Sequence, residues 1–268
     1  TAASVDLVVS FKAPQNLVVA ITNSETISKQ IDVVATADYA TTFDVNPGVD
    51  GVEAVSANIG DTATYVYDEA GTYTITVTAK GGAIETTSFS QDFEVTAIQQ
   101  PVISADTPPS RKITDVVSVF SSVYDDLTGT DFFPNWGQST TYTEYDLEGD
   151  KMIQYANLNY QGVQFETQNV SNMQYLHMDV WTADLAALQI FPISAATGEK
   201  FVTKELTPDS WTTIDIPLSA FTDQGLSMAD IFQFKFVDPD NTGKTIFIDN
   251  IYFYKNPSEP SPLAGKWK

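Results

Sequence analysis

The chain has 268 residues, which is enough for two modest domains or one large one. Its 13 Lys+Arg against 35 Asp+Glu give a formal net charge of −22, and a surface of that sign repels nucleic acid and anionic lipid. Cysteine is absent and His177 is the single histidine, which excludes thiol catalysis, disulfides and a multi-histidine metal site.

The first predicted domain covers residues 1–97. A tight turn at 69–71 leads into a strand, TYTITVT, whose Tyr73, Ile75 and Val77 share one face. With its flanks (67–79, YDEAGTYTITVTA), this segment resembles the PKD family, which implies an immunoglobulin-like sandwich. The Trp motif usual in that family is missing, and TFDVNPG (42–48) stands roughly in its place. The domain has no tryptophan, so we predict that it is a spacer.

Residues 98–112 contain three prolines and no sustained alternation, which predicts an extended linker. The proline-rich run at 256–262 predicts a second break, so residues 256–268 are interpreted as a linker and the start of a missing next module. All four tryptophans (Trp136, Trp181, Trp211 and Trp267) follow the first linker.

The second predicted domain, 113–255, is also built of strands. Segments 163–166, 175–181, 231–237 and 246–254 are rich in β-branched and aromatic residues and are separated by turn residues. The sequence therefore predicts an all-β chain of two tandem β-sandwich domains, an immunoglobulin-like one followed by a jelly roll.

An ordered set of segments supports a second resemblance: 116–138, 155–165, 175–184, 210–221 and 246–255. Together they resemble carbohydrate-binding modules of laminarin-targeting, SusC/SusD-associated surface glycan-binding proteins of marine Bacteroidetes. The resemblance implies a β-1,3-glucan ligand with possible β-1,6 branches, a SusC/SusD-type transporter as partner, and an extracellular outer-membrane lipoprotein whose anchor lies outside this chain. The acidic composition independently favours a neutral glycan.

A sugar site needs flat rings for stacking and amides or carboxylates for hydroxyls. Trp136 and Gln138 follow a loop-like stretch and offer both. A second cluster contributes Tyr155, Asn157, Asn159, Tyr160 and Gln161 at a strand–turn boundary. The alternative is that Trp136 caps the core and the amides only solvate a turn.

Sheet faces offer another candidate site. Leu176, Met178 and Val180 should point into the core, which places His177, Asp179 and Trp181 on the opposite face. Alternation likewise turns Gln164, Gln233 and Lys235 outward. These residues are predicted to line a glycan groove, unless a loop covers the face and Trp181 is structural. Trp211 is predicted to be a core anchor.

No cofactor is required by this interpretation. A structural calcium ion is a further hypothesis, with Asp125, Asp126 and Asp249 as its ligands, because β-sandwich modules often hold one through carboxylates and carbonyls. Acid-rich turns that are simply solvated are the alternative.

One motif favours catalysis. Glu144, Asp146 and Glu148 have the E-x-D-x-E spacing of retaining β-glucanases of glycoside hydrolase family sixteen, and period-two spacing would put them on one strand face. Gly149-Asp150 predicts a turn that leaves Glu148 at the strand end, and the flanking sequence lacks the tryptophans of that family. We therefore predict no enzyme activity; a purely structural spacer or adhesin is the remaining alternative.

Overall fold

The computed structural model describes residues 10–257, which divide into two compact units between Ile98 and Gln99. Both units are built from β-strands, so the prediction of an all-β chain of two β-sandwiches is confirmed. Within the described range, none of the helices has the length and apolar character needed to cross a bilayer. The predicted tail is described only as far as residue 257, and Trp267 lies outside the described residues.

The first unit contains two antiparallel sheets. Its strands are β1 (Gln15–Asn23), β2 (Gln30–Asp38), β3 (Ala40–Asn46), β4 (Val55–Asn58), β5 (Thr62–Val66), β6 (Gly71–Gly81) and β7 (Thr87–Val95). They form the orders β1-β2-β5 and β4-β3-β6-β7. Ile75 and Val77 are fully buried, and Tyr73 packs against the same core, as the alternation predicts. Membership of the PKD family stays a prediction.

The second unit packs a larger sheet against a smaller one. The strands are β8 (Val116–Phe120), β9 (Thr141–Leu147), β10 (Asp150–Ala156), β11 (Tyr160–Gln168), β12 (Tyr175–Thr182), β13 (Ala187–Ser194), β14 (Gly198–Glu199), β15 (Val202–Glu205), β16 (Ser210–Pro217), β17 (Ile231–Val237) and β18 (Ile246–Tyr254). A 3-10 turn at Ile113–Asp115 and helix α1 (Ser219–Thr222) complete the unit.

The six-stranded sheet has the order β16-β12-β18-β10-β9, with β8 also paired to β18. The five-stranded sheet has the order β11-β17-β13-β14, with β15 also paired to β13. Both sheets turn apolar residues toward one core between them, as period-two alternation requires. Leu176, Met178 and Val180 of β12 lie in that core, as do Phe234 and Phe236 of β17.

Residues 99–111, which we name the strap, belong to the second unit although the sequence predicts a linker at 98–112. The strap runs over the outward side of the six-stranded sheet, where Pro101 and Pro108 are buried. Three side chains of the sheet donate hydrogen bonds to its main-chain oxygens: Tyr145 to Pro101, Trp211 to Ile103 (2.8 Å) and Asn250 to Asp106. Tyr124, in the loop after β8, donates to Pro109. Arg111 lies over the Tyr254 ring, 3.9 Å from its centroid.

Candidate functional site

The sandwich of the second unit has two outward faces. We call the outward side of the five-stranded sheet the open face, because Gln164, Glu199 and Phe201 on it are exposed. We call the outward side of the six-stranded sheet the covered face, because it lies beneath the strap and Trp181, Asp179 and Phe247 on it are buried. The sequence places candidate binding residues on both.

One end of the open face is formed by Trp136. The six-membered ring of its indole lies directly over Gly162 of β11: a Cβ added at Gly162 would be 2.4 Å from two of the ring atoms. Only a residue without a side chain leaves room for the indole at this point of the strand. Trp136 is partly buried, so it covers the sheet and still presents some surface to solvent.

The neighbouring amides hold the Trp136 loop in place. Gln138 accepts a hydrogen bond from the backbone N–H of Trp136 (2.7 Å) and donates to Gln161 Oε1 (3.0 Å). The hydroxyl of Tyr160 donates to the carbonyl of Trp136 (2.8 Å). Gln161 is fully buried and also donates to the carbonyl of Gly162. These three side chains therefore fix the position of the indole, and the role predicted for Gln161 as a direct ligand is corrected because it does not reach the surface.

The rest of the predicted amide cluster is also engaged in the fold. Tyr155 lies in the core, where its hydroxyl donates to the carbonyl of Phe132 (2.6 Å), so the expectation that it contacts a ligand is corrected. Asn159 Oδ1 accepts hydrogen bonds from the backbone N–H of Ser139 and from the hydroxyl of Thr140. Asn157 is exposed but has a φ of 52° and donates to the carbonyl of Ser139.

The other end of the open face carries two phenylalanines. Phe191 of β13 and Phe201 stack with ring centroids 4.8 Å apart. Residue pairing puts Gly162 beside Lys235, and Lys235 beside Phe191. Adjacent strands lie about 4.8 Å apart, so the Trp136 and Phe191 positions are separated by about 10 Å across the strands. Phe191 is 9% exposed and Phe201 is 42% exposed, so the aromatic surface at this end is mainly that of Phe201. Aromatic side chains therefore flank the polar centre of this face on both sides.

Lys235 occupies that centre. Its Nζ lies 2.6 Å from both carboxylate oxygens of Glu199 and 4.1 Å from the centroid of the Phe191 ring. At the next outward-facing position, two residues along the strand from Lys235, Gln233 donates to Gln164 Oε1 at 3.1 Å. Among the described residues nothing else bonds the amide group of Gln164 or the carbonyl oxygen of Gln233, so both are available to hydroxyl groups.

The covered face is built differently, although it also has a tryptophan beside polar groups. Trp181 is 4% exposed and packs edge-on against Phe247, with ring centroids 5.6 Å apart. Asp179 is 2% exposed and accepts hydrogen bonds from Thr213 (2.7 Å) and Asn250 (2.9 Å). The prediction that Asp179 and Trp181 line an open groove is therefore corrected, because both are buried beneath the strap and the carboxylate of Asp179 is hydrogen-bonded within this face.

His177 lies between two carboxylates on the covered face. Its Nδ1 is 2.9 Å from Asp215, its Nε2 is 3.4 Å from Asp179, and its ring stacks on Tyr252 at 4.5 Å. Burial alone would lower the pKa of His177, but the hydrogen bonds to Asp179 and Asp215 outweigh it and raise the pKa to about 9. The imidazolium is therefore a structural cation here.

Trp211, predicted as a core anchor, instead lies on this face beside Trp181.

The three predicted calcium ligands do not gather into one set. Asp126 accepts hydrogen bonds from Ser118 (2.6 Å) and from the backbone N–H of Ser121. Asp249 is buried, which raises its pKa to about 7, and its carboxylate accepts from the backbone N–H of Asn250. Within residues 10–257 no three acidic or histidine side chains are grouped so as to hold a metal ion. A structural calcium ion at Asp125, Asp126 and Asp249 stays a prediction.

The E-x-D-x-E motif does not form a carboxylate row. Strand β9 ends at Leu147, and Glu148 and Gly149, both with positive φ, form the hairpin turn to β10. Glu148 therefore lies in the turn and not in the strand, so the three carboxylates do not share one strand face. Glu144 forms an exposed ion pair with Lys151 at 2.6 Å.

The sequence did not single out Phe191, Phe201 or Glu199. A signal was present for Phe191: in ALQIFPIS, Leu188 and Ile190 occupy core positions, which turns Gln189 and Phe191 outward by alternation. Glu199 and Phe201 lie beside Phe191 through the pairing of short strands after a tight turn, which alternation within one strand cannot indicate.

No family model and no curated protein matches this chain. It is similar to solved carbohydrate-binding modules. One, from a study of the promiscuous specificity of modules of the β-sandwich superfamily, has 16% identity and a TM-score of 0.35, and the match covers 92% of this chain and all of that one. A family 29 module has 15% identity and a TM-score of 0.40, over 57% of this chain and 97% of the module. A family 29 variant complexed with mannohexaose has 15% identity and a TM-score of 0.39, over 52% and 89%. Likenesses this distant carry no argument for a ligand.

Proposed function

We propose that this chain is a non-catalytic glycan-binding protein whose second unit binds a neutral β-glucan on its open face. Laminarin is the proposed ligand. The observation that carries the proposal is the arrangement of that face: Trp136 at one end, the exposed Phe201 stacked on Phe191 at the other, and free amide groups of Gln164 and Gln233 beside them. Rings of this kind stack on the apolar C–H side of a sugar, while amides bond its hydroxyls.

The first unit is proposed as a spacer. The outward side of its four-stranded sheet carries short polar side chains that bond each other across strands, such as Thr74 with Asp92 and Thr76 with Ser90. A location outside the cell, near a SusC/SusD-type transporter, belongs to the same proposal and follows from the resemblance given above.

Titration of laminarin and of a β-1,4-glucan against the whole chain tests the proposal. We expect laminarin to bind and Trp136→Ala to weaken binding by about 2 kcal/mol, roughly 30-fold, the size of a central stacking contact. The matched control is Phe133→Ala. Phe133 is an exposed aromatic on the same loop, but it stacks on Tyr142 of β9, away from the open face. Its substitution should leave the affinity unchanged.

Chromatography of the incubated polysaccharide separates binding from catalysis. We expect no released oligosaccharides, because Glu148 lies in a turn and Glu144 is paired with Lys151. Products that disappear in Glu144→Gln would contradict the non-catalytic role. Failure of every glycan to bind would favour the spacer or adhesin instead.

A further inference from the structure

The polar centre of the open face contains a cation whose charge is compensated. Lys235 is an outward residue of the central strand β17, and its side chain is 20% exposed. Its ammonium is held from two sides, by both oxygens of Glu199 at 2.6 Å and by the Phe191 ring at 4.1 Å. Attraction to the carboxylate and to the ring face fixes the ammonium above β13.

A fixed ion pair presents a donor beside an acceptor and nearly no net charge. A sugar hydroxyl both donates and accepts, so it can bond Lys235 and Glu199 at once. A sugar carboxylate only accepts: it gains attraction to Lys235 but meets repulsion from Glu199 at a similar distance. The pair therefore favours uncharged sugars without forming a strong anion site.

Building on the glycan-binding role proposed above, we propose that Glu199 is a specificity-determining residue of the open face. By neutralising Lys235, Glu199 makes this face prefer uncharged pyranose chains over chains that carry uronic acid carboxylates. Without Glu199, Lys235 would attract acidic chains with an uncompensated charge. The whole-molecule charge of −22 acts in the same direction for any acidic polymer, so the local effect must be separated from it.

The test uses one polymer in two forms, laminarin and laminarin oxidised at C6 to carboxylates, at low ionic strength. The quantity measured is the ratio of the two dissociation constants. We expect the whole chain to prefer neutral laminarin and Glu199→Gln to shift the ratio toward the oxidised form by about two- to fivefold, the range of exposed ion pairs. The shift should shrink in high salt, which screens exposed charges.

Glu144→Gln is the matched control. Glu144 also pairs with a lysine at 2.6 Å and its side chain is 49% exposed, against 44% for Glu199, but it lies on β9 of the other sheet. It changes the net charge by the same single unit. A second variant, Lys235→Met, retains an apolar side chain over Phe191 and should weaken binding of both forms.

The outcomes separate the two proposals. An unchanged ratio in Glu199→Gln, or an equal shift in Glu144→Gln, would overturn the role of Glu199 while glycan binding stands. If the wild-type chain binds neither form of laminarin nor any other glycan, the proposed function is overturned and the role of Glu199 with it.

Discussion

The two outward faces of the second unit carry similar residues but differ in what covers them. Each has a tryptophan beside polar side chains on strands of regular alternation. On the covered face, Trp181 is 4% exposed and Asp179 is bonded within the fold. On the open face, Trp136 is only partly buried and Gln164 retains free bonding groups. The comparison teaches that an outward aromatic residue beside polar groups does not by itself mark a binding surface. Whether such a face is accessible to a ligand depends on the segment that lies over it.

The strongest test of this contrast is removal of the tryptophan from the covered face. Trp181→Ala should lower the free energy of unfolding by about 3–5 kcal/mol, since it deletes a buried ring that packs on Phe247. Urea denaturation measures this change. The folded variant should still bind laminarin with wild-type affinity. A stable variant that has lost binding would reverse the roles assigned to the two faces.

The covered face should also make stability depend on pH. The pKa of His177 is raised to about 9 from its ordinary 6.5, so the stabilisation from its protonated form is full below pH 6.5 and is lost as the pH rises through 9. We expect the free energy of unfolding to fall by about 2–3 kcal/mol over that window. His177→Gln should remove the part of this slope above pH 8, where Asp249 is already ionised.

Two other groups on the covered face titrate near that window, Asp249 at its lower end and Tyr254 above it. Burial raises the pKa of Asp249 to about 7, so the stability from its protonated form is full below pH 3.8 and is lost as the pH rises through 7. The pKa of Tyr254 is raised to about 12, also chiefly by burial. A slope between pH 8 and 9 that persists in His177→Gln would show that the imidazolium does not stabilise this face.

A substitution beneath Trp136 on the open face should affect stability less than Trp181→Ala does on the covered face. In Gly162→Ala the added methyl group would overlap the Trp136 ring, so the indole must move. We expect a loss of about 1–2 kcal/mol in stability, the lower part of the overpacking range, together with weakened laminarin binding. Gly71→Ala is the control, because its Cβ would meet only an ordinary 3.7 Å contact with Tyr73. Unaltered binding in Gly162→Ala would indicate that the Trp136 indole is not part of the ligand site.

The fold was largely predictable because alternation is a local property. The facing of Met178, Phe234 and Gln233 follows directly from period two and is correct. The position of Tyr155 was not predictable in this way, because a tyrosine suits either a surface or a core in which its hydroxyl finds an acceptor, here the carbonyl of Phe132. The assembly of Trp136 with Phe191 could not be predicted either, since it depends on a loop that closes over Gly162.

The contacts of the strap are difficult to predict from the sequence. Trp211, Asn250, Tyr145 and Tyr124 all bond main-chain oxygens of the strap, and every residue type supplies a carbonyl. The side chain of Ile103 is 69% exposed and takes no part in the bond that its carbonyl accepts. Related chains could therefore replace much of this segment and still keep the same face shielded. A module boundary drawn from composition at 113 would remove the strap from the covered face, whereas the second compact unit begins at Gln99.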